Sequence, residues 1–176
     1  MDSILLFWFG EGPKTSYSKF WFPSGDNREN ADSIIAERFG EMVKKAENGI
    51  YDCWKDSPRG CVALVLLLDQ FSRHLYRAEP ERVKENDVKA LLVTEHFLQH
   101  KTWKPEYLLT TAEHIFLLMP LRHTPTHDRL SRVMAQITLR IQTDSAYADL
   151  LEKFRKVSHH KFLDLQAKER WSGEFG

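Results

Sequence analysis

One long apolar segment constrains the fold of this chain more than any other feature of its sequence. Residues 61–68 (CVALVLLL) are apolar throughout and lead directly into the polar sequence DQFSRH. The segment follows Ser57-Pro58, which is typical of a helix start, because serine can cap the first turn and proline suits the first helical position. This start, the leucine content and the onward sequence favour a buried central helix over a buried strand.

The rest of the chain repeats a helical pattern, with apolar residues three or four positions apart and polar residues between them. Residues 4–9 could form a short helix or a strand, and Gly10 is a suitable cap for a helix there. Residues 10–30 predict a loop that carries an aromatic plug, Phe20-Trp21-Phe22, and the polar tail after Phe162 predicts fraying. A further helix is predicted at residues 35–46, and Gly49 ends it. Another begins at Pro80, and one begins at Thr110 or Thr111 and ends or kinks at Pro120. The last two begin after Thr126 and at a cap formed by Ser145.

No segment shows the sustained alternation of apolar and polar residues that indicates a half-buried strand. The sequence therefore predicts an all-α protein, a single domain over residues 1–176. Short loops between helices predict about seven or eight helices packed in antiparallel pairs. A chain of this length can bury roughly 70% of its unfolded surface, so it needs no disulfide or metal to fold.

Composition excludes several classes of function. Lysine plus arginine is 25 and aspartate plus glutamate is 25, so the chain lacks the basic excess typical of nucleic-acid binding. No segment approaches the roughly 18 to 20 apolar residues of a membrane span, and no signal peptide is recognisable. The two cysteines, Cys53 and Cys61, do not make a disulfide scaffold. We expect a protein of the cytoplasm, without nucleic-acid or membrane partners.

The exit of the central helix carries the most informative polar residues. If helical geometry continues to Arg77, then Gln70, Arg73 and Arg77 share a face, and Asp69 precedes Arg73 by four residues, the favoured order for an ion pair. A long apolar helix carries such groups inward, where a polar group without a partner costs roughly 1 to 3 kcal/mol. These residues therefore form either an internal polar clamp or the floor of a pocket whose arginines face an anionic ligand.

Other candidate residues give no catalytic motif. Glu113 falls in the first turn of a predicted helix, where it suits the helix dipole, or it could reach Arg73 or Arg77. His123 and His127 are four residues apart, but the intervening Pro125 keeps them off one regular helical face. No phosphate-binding loop, nucleophile elbow or zinc motif is present, so we predict no catalytic residue, no metal ligand and no cofactor.

Four segments resemble the bacterial family called domain of unknown function 924. They are FWFG at residues 7–10, LLLDQF with Arg73 and Tyr76-Arg77, Glu113 with FLLMPL and His123, and more weakly residues 153–159. The resemblance implies a helical fold similar to tetratricopeptide repeats (TPR-like) and names no reaction. The family usually has asparagine where this chain has His74, arginine at His114, and a Pro-His-Arg-Asn sequence at residues 158–161.

Two functions follow as hypotheses. The first is a protein–protein interaction module with a protein or peptide partner, which the TPR-like resemblance and the absence of a catalytic motif favour. The alternative is a small-molecule-binding protein or an enzyme that acts on an anionic ligand, and a structural member without a ligand is a third reading. The residues expected to bind such a ligand are Asp69, Gln70, Arg73, His74, Arg77, Glu113, His123 and His159. The sequence does not predict the oligomeric state.

Overall fold

Helices make up all the regular structure in the part of the chain that the computed structural model describes, residues 1–10, 21 and 26–174. The predicted all-α class is therefore confirmed, whereas the TPR-like arrangement stays a prediction. The α-helices are α1 Asp2–Phe9, α2 Asp26–Glu47, α3 Pro58–Val65, α4 Ser72–Leu75, α5 Pro80–Gln99, α6 Pro105–Leu108, α7 Thr111–His123, α8 His127–Thr143 and α9 Ala148–Glu174. A π-helical turn, Leu66–Phe71, joins α3 to α4, and two 3₁₀ turns lie at Asp52–Asp56 and Ser145–Tyr147.

Contacts between residues divide the chain into two compact units, an N-terminal unit, Met1–Pro120, and a C-terminal unit, Leu121–Gly176. The single domain that we predict from the sequence stays a prediction. No helix among the residues described has both the length and the apolar character needed to cross a bilayer.

The central helix is the core of the N-terminal unit. Residues 60–72, which cover α3 after its first two residues, the π-helical turn and the first residue of α4, are all buried. α1 and α5 pack on α3, and α2 packs on the π-helical turn and α4. Aromatic rings fill the space between these helices, with Phe71 lying 4.9 Å from Phe39 and 5.3 Å from Trp8 between ring centroids. The predicted buried central helix is confirmed.

Local sequence signals fix several helix ends as predicted. The hydroxyl of Ser57 accepts a hydrogen bond from the backbone N–H of Gly60 at 3.2 Å, and Pro58 occupies the first turn of α3. Residues 2–9 form a helix rather than a strand, and Gly10 ends it with a φ of 70°, a value that glycine adopts without strain. Thr126 caps α8 by accepting from the N–H of Arg129.

Three boundary predictions are wrong, and the prediction for Pro120 is wrong in one of its two alternatives. α2 begins at Asp26, inside the predicted loop, because its polar first turns continue the helix without an apolar signal. α7 continues through Pro120 to His123, so Pro120 does not end the helix, and a kink at this position stays a prediction. Ser145 begins a 3₁₀ turn without capping α9, and α9 carries the polar tail as helix to Glu174.

The predicted aromatic plug is described only at Trp21. Its side chain is buried, and its indole N–H donates to the carbonyl of Trp8 at 2.9 Å. Its ring centroid lies 4.9 Å from that of Phe116. Phe20 and Phe22 lie outside the described residues.

The C-terminal unit is built mainly from α8 and α9, which pack side by side. His127 at the start of α8 contacts Phe162 and hydrogen-bonds Glu169 at 3.0 Å, both in the second half of α9. The two helices are therefore antiparallel, with the buried face of α8 formed by Leu130, Val133, Ile137 and the charged Arg140.

Candidate functional site

The predicted ion pair at the end of the central helix is present, and a second acid that the sequence did not predict joins it. Asp69 is fully buried, and it accepts from the amide of Gln70 and, at 3.4 Å, from Nη2 of Arg73. The same Nη2 donates to Asp87 of α5 at 2.5 Å. Asp87 lies midway between two apolar positions of α5, Val83 and Leu91, and that spacing was the available signal for an inward-facing acid.

A continuous helix would place Arg73 and Arg77 on one face, but the structure does not place them so. α4 ends at Leu75, and Tyr76 leaves helical geometry with φ −114° and ψ 34°. The π-helical turn also changes the phase of the residues that follow it, since its hydrogen bonds span five residues rather than four. The predicted common face is therefore wrong.

His74 and Arg77 instead meet Asp32 of α2. Nδ1 of His74 lies 2.7 Å from Oδ1 of Asp32, and Arg77 donates to both carboxylate oxygens, from Nε and Nη2, at 2.7 Å each. Burial works to raise the pKa of Asp32, but the hydrogen bonds and charges of Arg77 and His74 outweigh it and hold that pKa below 3.8. Burial lowers the pKa of His74 below 6.5, against the opposing effect of Asp32. The imidazole is therefore neutral at neutral pH and donates from Nδ1, because a carboxylate can only accept.

Glu47 at the end of α2 forms a second clamp of the same kind. Its carboxylate accepts from Tyr76 at 3.2 Å, from Arg82 at 2.9 Å and from Asn86 at 2.7 Å. Burial would raise the pKa of Glu47, yet the hydrogen bonds from Arg82 and Asn86 lower it overall. The clamp ties the end of α2 to the turn after α4 and to the start of α5. Its members are far apart in sequence, so sequence spacing gave no signal for it.

Glu113 does not reach Arg73 or Arg77. Its Oε2 accepts from the backbone N–H of Thr110 at 2.8 Å, while the Thr110 hydroxyl accepts from the N–H of Glu113 at 3.2 Å. This reciprocal pair is a capping box, and it confirms Thr110 as the cap of α7. The other oxygen, Oε1, accepts from Nε of Arg59 at 3.0 Å.

A pocket of about 350 Å³ opens beside this ion pair in the N-terminal unit. The side chain of Glu113 is 5% exposed, whereas that of Arg59 is 52% exposed. Arg59 is in the first turn of α3 and Glu113 in the first turn of α7, so two helix N-termini, each with a partial positive charge, meet at the pocket. The lining residues are Arg59, Tyr107, Leu108, Leu109, Thr110 and Glu113.

Two of the three histidines named as ligand-binding candidates, His123 and His159, belong to the C-terminal unit. His123 is half-buried at the end of α7, and His159 is exposed on α9. Their predicted meeting with Asp69 and Arg73 stays a prediction.

One comparison with known proteins identifies relatives of the chain. The model of a family described as "Bacterial protein of unknown function (DUF924)" matches residues 4–168 of the 176. No curated protein and no solved structure matches the sequence.

Proposed function

We propose that this chain, which belongs to the DUF924 family of bacterial proteins of unknown function, binds organic anions that carry an apolar group. The family description names no function, so this function is inferred from the geometry of the chain itself. The binding site is the pocket beside Arg59 and Glu113. The observation that carries this proposal is an arginine anchored through one nitrogen by a buried carboxylate, at the wall of a partly apolar pocket that is open to solvent.

The volume and lining of the pocket support binding of a small molecule. Its volume of about 350 Å³ is within the range of small-molecule sites, which begins at roughly 300 Å³. Leu108, Leu109 and the ring of Tyr107 supply apolar surface, while Arg59 supplies fixed charge. Apolar walls with a few placed polar groups are typical of such sites.

The polar residues at the end of the central helix support a structural role better than a ligand site. Asp69, Arg73 and Arg77 each make a hydrogen-bonded ion pair with another side chain in the N-terminal unit, and the neutral His74 donates a hydrogen bond to Asp32. Breaking such pairs to admit a ligand would leave charges without partners, at a cost of several kcal/mol when they are buried. We therefore treat them as clamps. Ligand contacts by these residues, and by Gln70, His123 and His159, stay a prediction.

A protein-interaction role stays a second candidate because the rim of the pocket is apolar and exposed. Tyr107 is 82% exposed and Leu108 is 42% exposed. A peptide could supply the bound anion as readily as a free acid.

We place the protein in the cytoplasm, since its cysteines are unpaired and a reducing compartment keeps them so.

A titration followed by NMR tests the proposal. 3-Phenylpropionate and phenyl phosphate serve as probes, and the backbone amides of residues 107–113 report binding. Arg59→Gln should weaken binding about tenfold or more, because a charge-assisted hydrogen bond contributes roughly 1.5 to 3 kcal/mol.

Arg155→Gln is the matched control, since Arg155 is also a half-exposed arginine paired with a glutamate, Glu152, and does not line the pocket. It should bind the probes like the parent protein. The proposal fails if neither probe perturbs residues 107–113, or if Arg59→Gln binds both probes as tightly as the parent.

A further inference from the structure

The orientation of the Arg59 guanidinium limits what it can recognise. Its Nε donates to Oε1 of Glu113. Among the residues that the structure describes, the terminal nitrogens Nη1 and Nη2 have no hydrogen-bond partner. The outer edge of the guanidinium thus keeps two parallel N–H donors, a spacing that matches the two oxygens of a carboxylate or a phosphate.

The charge of the pocket distinguishes between these two groups. Arg59 and Glu113 are its charged lining residues, so their formal charges cancel. The N-termini of α3 and α7 add roughly half a positive charge each. A bound monoanion is therefore balanced, whereas a dianion brings a second negative charge towards the Glu113 carboxylate. The balance favours one negative charge on the ligand.

The apolar surface beside the guanidinium defines the rest of the ligand. Tyr107 and Leu108, on α6, are exposed lining residues of the pocket, and Leu109 is a buried one. A ligand that covers these side chains removes apolar surface from water, which is favourable in proportion to the area covered. A bare inorganic anion would leave that surface exposed.

We propose that the pocket, granted the anion-binding function above, selects a carboxylate monoanion attached to an apolar group over a phosphate dianion. Such a group is found in free aryl or branched-chain acids, and at the end of a peptide whose last residue is apolar. Both sources offer the same chemistry to Arg59.

Comparison of two probes at pH 7.5 tests the selectivity. Phenyl phosphate carries about two negative charges there, and 3-phenylpropionate carries one. We expect the carboxylate to bind at least fivefold more tightly. Equal or tighter binding of phenyl phosphate at residues 107–113 overturns the selectivity while leaving anion binding intact. Failure of both probes overturns the anion-binding function itself.

The variant Glu113→Gln tests the cause of the selectivity. Its amide oxygen can still accept from Arg59, but its N–H₂ group replaces the oxygen that accepts from Thr110, and its negative charge is gone. We expect the preference for the carboxylate to shrink by at least threefold, mainly through tighter binding of phenyl phosphate. An unchanged preference in a folded variant contradicts the role given to the Glu113 charge. Circular dichroism checks the fold, and Glu113→Asp, which keeps the charge, should retain the preference.

Two peptides distinguish the sources of the carboxylate. N-acetyl-Ala-Leu-Phe with a free carboxyl end is compared with the same peptide carrying a C-terminal amide. Tighter binding of the free-acid peptide than of 3-phenylpropionate identifies a chain terminus as the preferred source, and the reverse order identifies a free acid. Equal binding of the amidated and free-acid peptides overturns recognition of the carboxylate.

Discussion

Replacing Asp32 with asparagine removes the charge that holds α2 against the turn after α4, with almost no change in side-chain volume. Asp32 accepts one hydrogen bond from His74 and two from Arg77, all at 2.7 Å. Asparagine keeps one acceptor oxygen but presents an amide N–H₂ group where the second oxygen was. That group meets a donor of Arg77, so at least one hydrogen bond is lost and the others lose their charge assistance.

The two partners contribute unequally because their exposure differs. The His74 side chain is 8% exposed, and a hydrogen bond between a buried group and a charged partner contributes about 1.5 to 3 kcal/mol. The Arg77 side chain is 46% exposed, so solvent screens its ion pair to about 0.5 to 1 kcal/mol. Because one acceptor remains, we expect Asp32→Asn to lower the free energy of unfolding by about 2 kcal/mol. At this chain length the midpoint of thermal unfolding would fall by about 4 to 8 °C.

Urea and thermal unfolding followed by circular dichroism at pH 7.5 measure this loss. Glu37→Gln is the control, since Glu37 is an exposed acid on the same helix and its replacement makes the same change in charge. The control should stay within about 0.5 kcal/mol of the parent. If Asp32→Asn also stays within that margin, then Asp32 does not act as a clamp and the structural role given to His74 and Arg77 is refuted.

Further predictions concern the same unit. Because the pKa of His74 is lowered in the folded chain, the unfolded chain takes up the proton first, so stability should fall as pH drops below 6.5. His74→Asn should flatten the urea midpoint between pH 7 and pH 5, and an unchanged slope would exclude His74 as the source. Phe71→Ala should cost about 3 to 5 kcal/mol, because Phe71 is fully buried among aromatic rings; a loss below about 1 kcal/mol would contradict the packing described. Burial raises the pKa of Cys61 to about 12, so a thiol reagent should label exposed Cys53 in the native chain and Cys61 only after unfolding. Equal labelling rates in the native chain would contradict the burial of Cys61.

Signals that act within one helix were predictable from the sequence. Ser57-Pro58 begins α3, and Thr110 caps α7, because both depend on hydrogen bonds between residues three positions apart. The pair of Asp69 and Arg73 follows from the same local geometry. Each of these predictions needed only helical spacing and is confirmed.

Tertiary partners were not predictable in this way. Asp32 lies 45 positions before Arg77, and Glu47 lies 35 before Arg82, so only the packing of α2 on the central helix brings them together. The sequence does not signal the π-helical turn. The extra residue in that turn is accommodated by packing against other helices, which helical spacing does not reveal. This is why the predicted common face of Gln70 and Arg77 was wrong.

The pocket at Arg59 also depends on tertiary structure. The sequence singled out Glu113 as a helix-end acid, and Arg59 follows the helix start at Pro58. Their contact across 54 positions joins the starts of α3 and α7, a relation that helical periodicity within either segment cannot reveal. Of the charged residues at this pocket, the sequence therefore indicated Glu113 but neither Arg59 nor the location of the site.

A crystal structure of the protein with 3-phenylpropionate tests anion binding at this pocket most directly. We expect the ligand's carboxylate oxygens within hydrogen-bond distance, about 2.7 to 3.1 Å, of Nη1 and Nη2 of Arg59, with its phenyl ring against Tyr107 and Leu108. The ion pairs of Arg73 and Arg77 should be unchanged. A carboxylate bound instead at Arg73 or Arg77, with the ion pair of that arginine to Asp87 or Asp32 broken, would contradict anion binding at the Arg59 pocket.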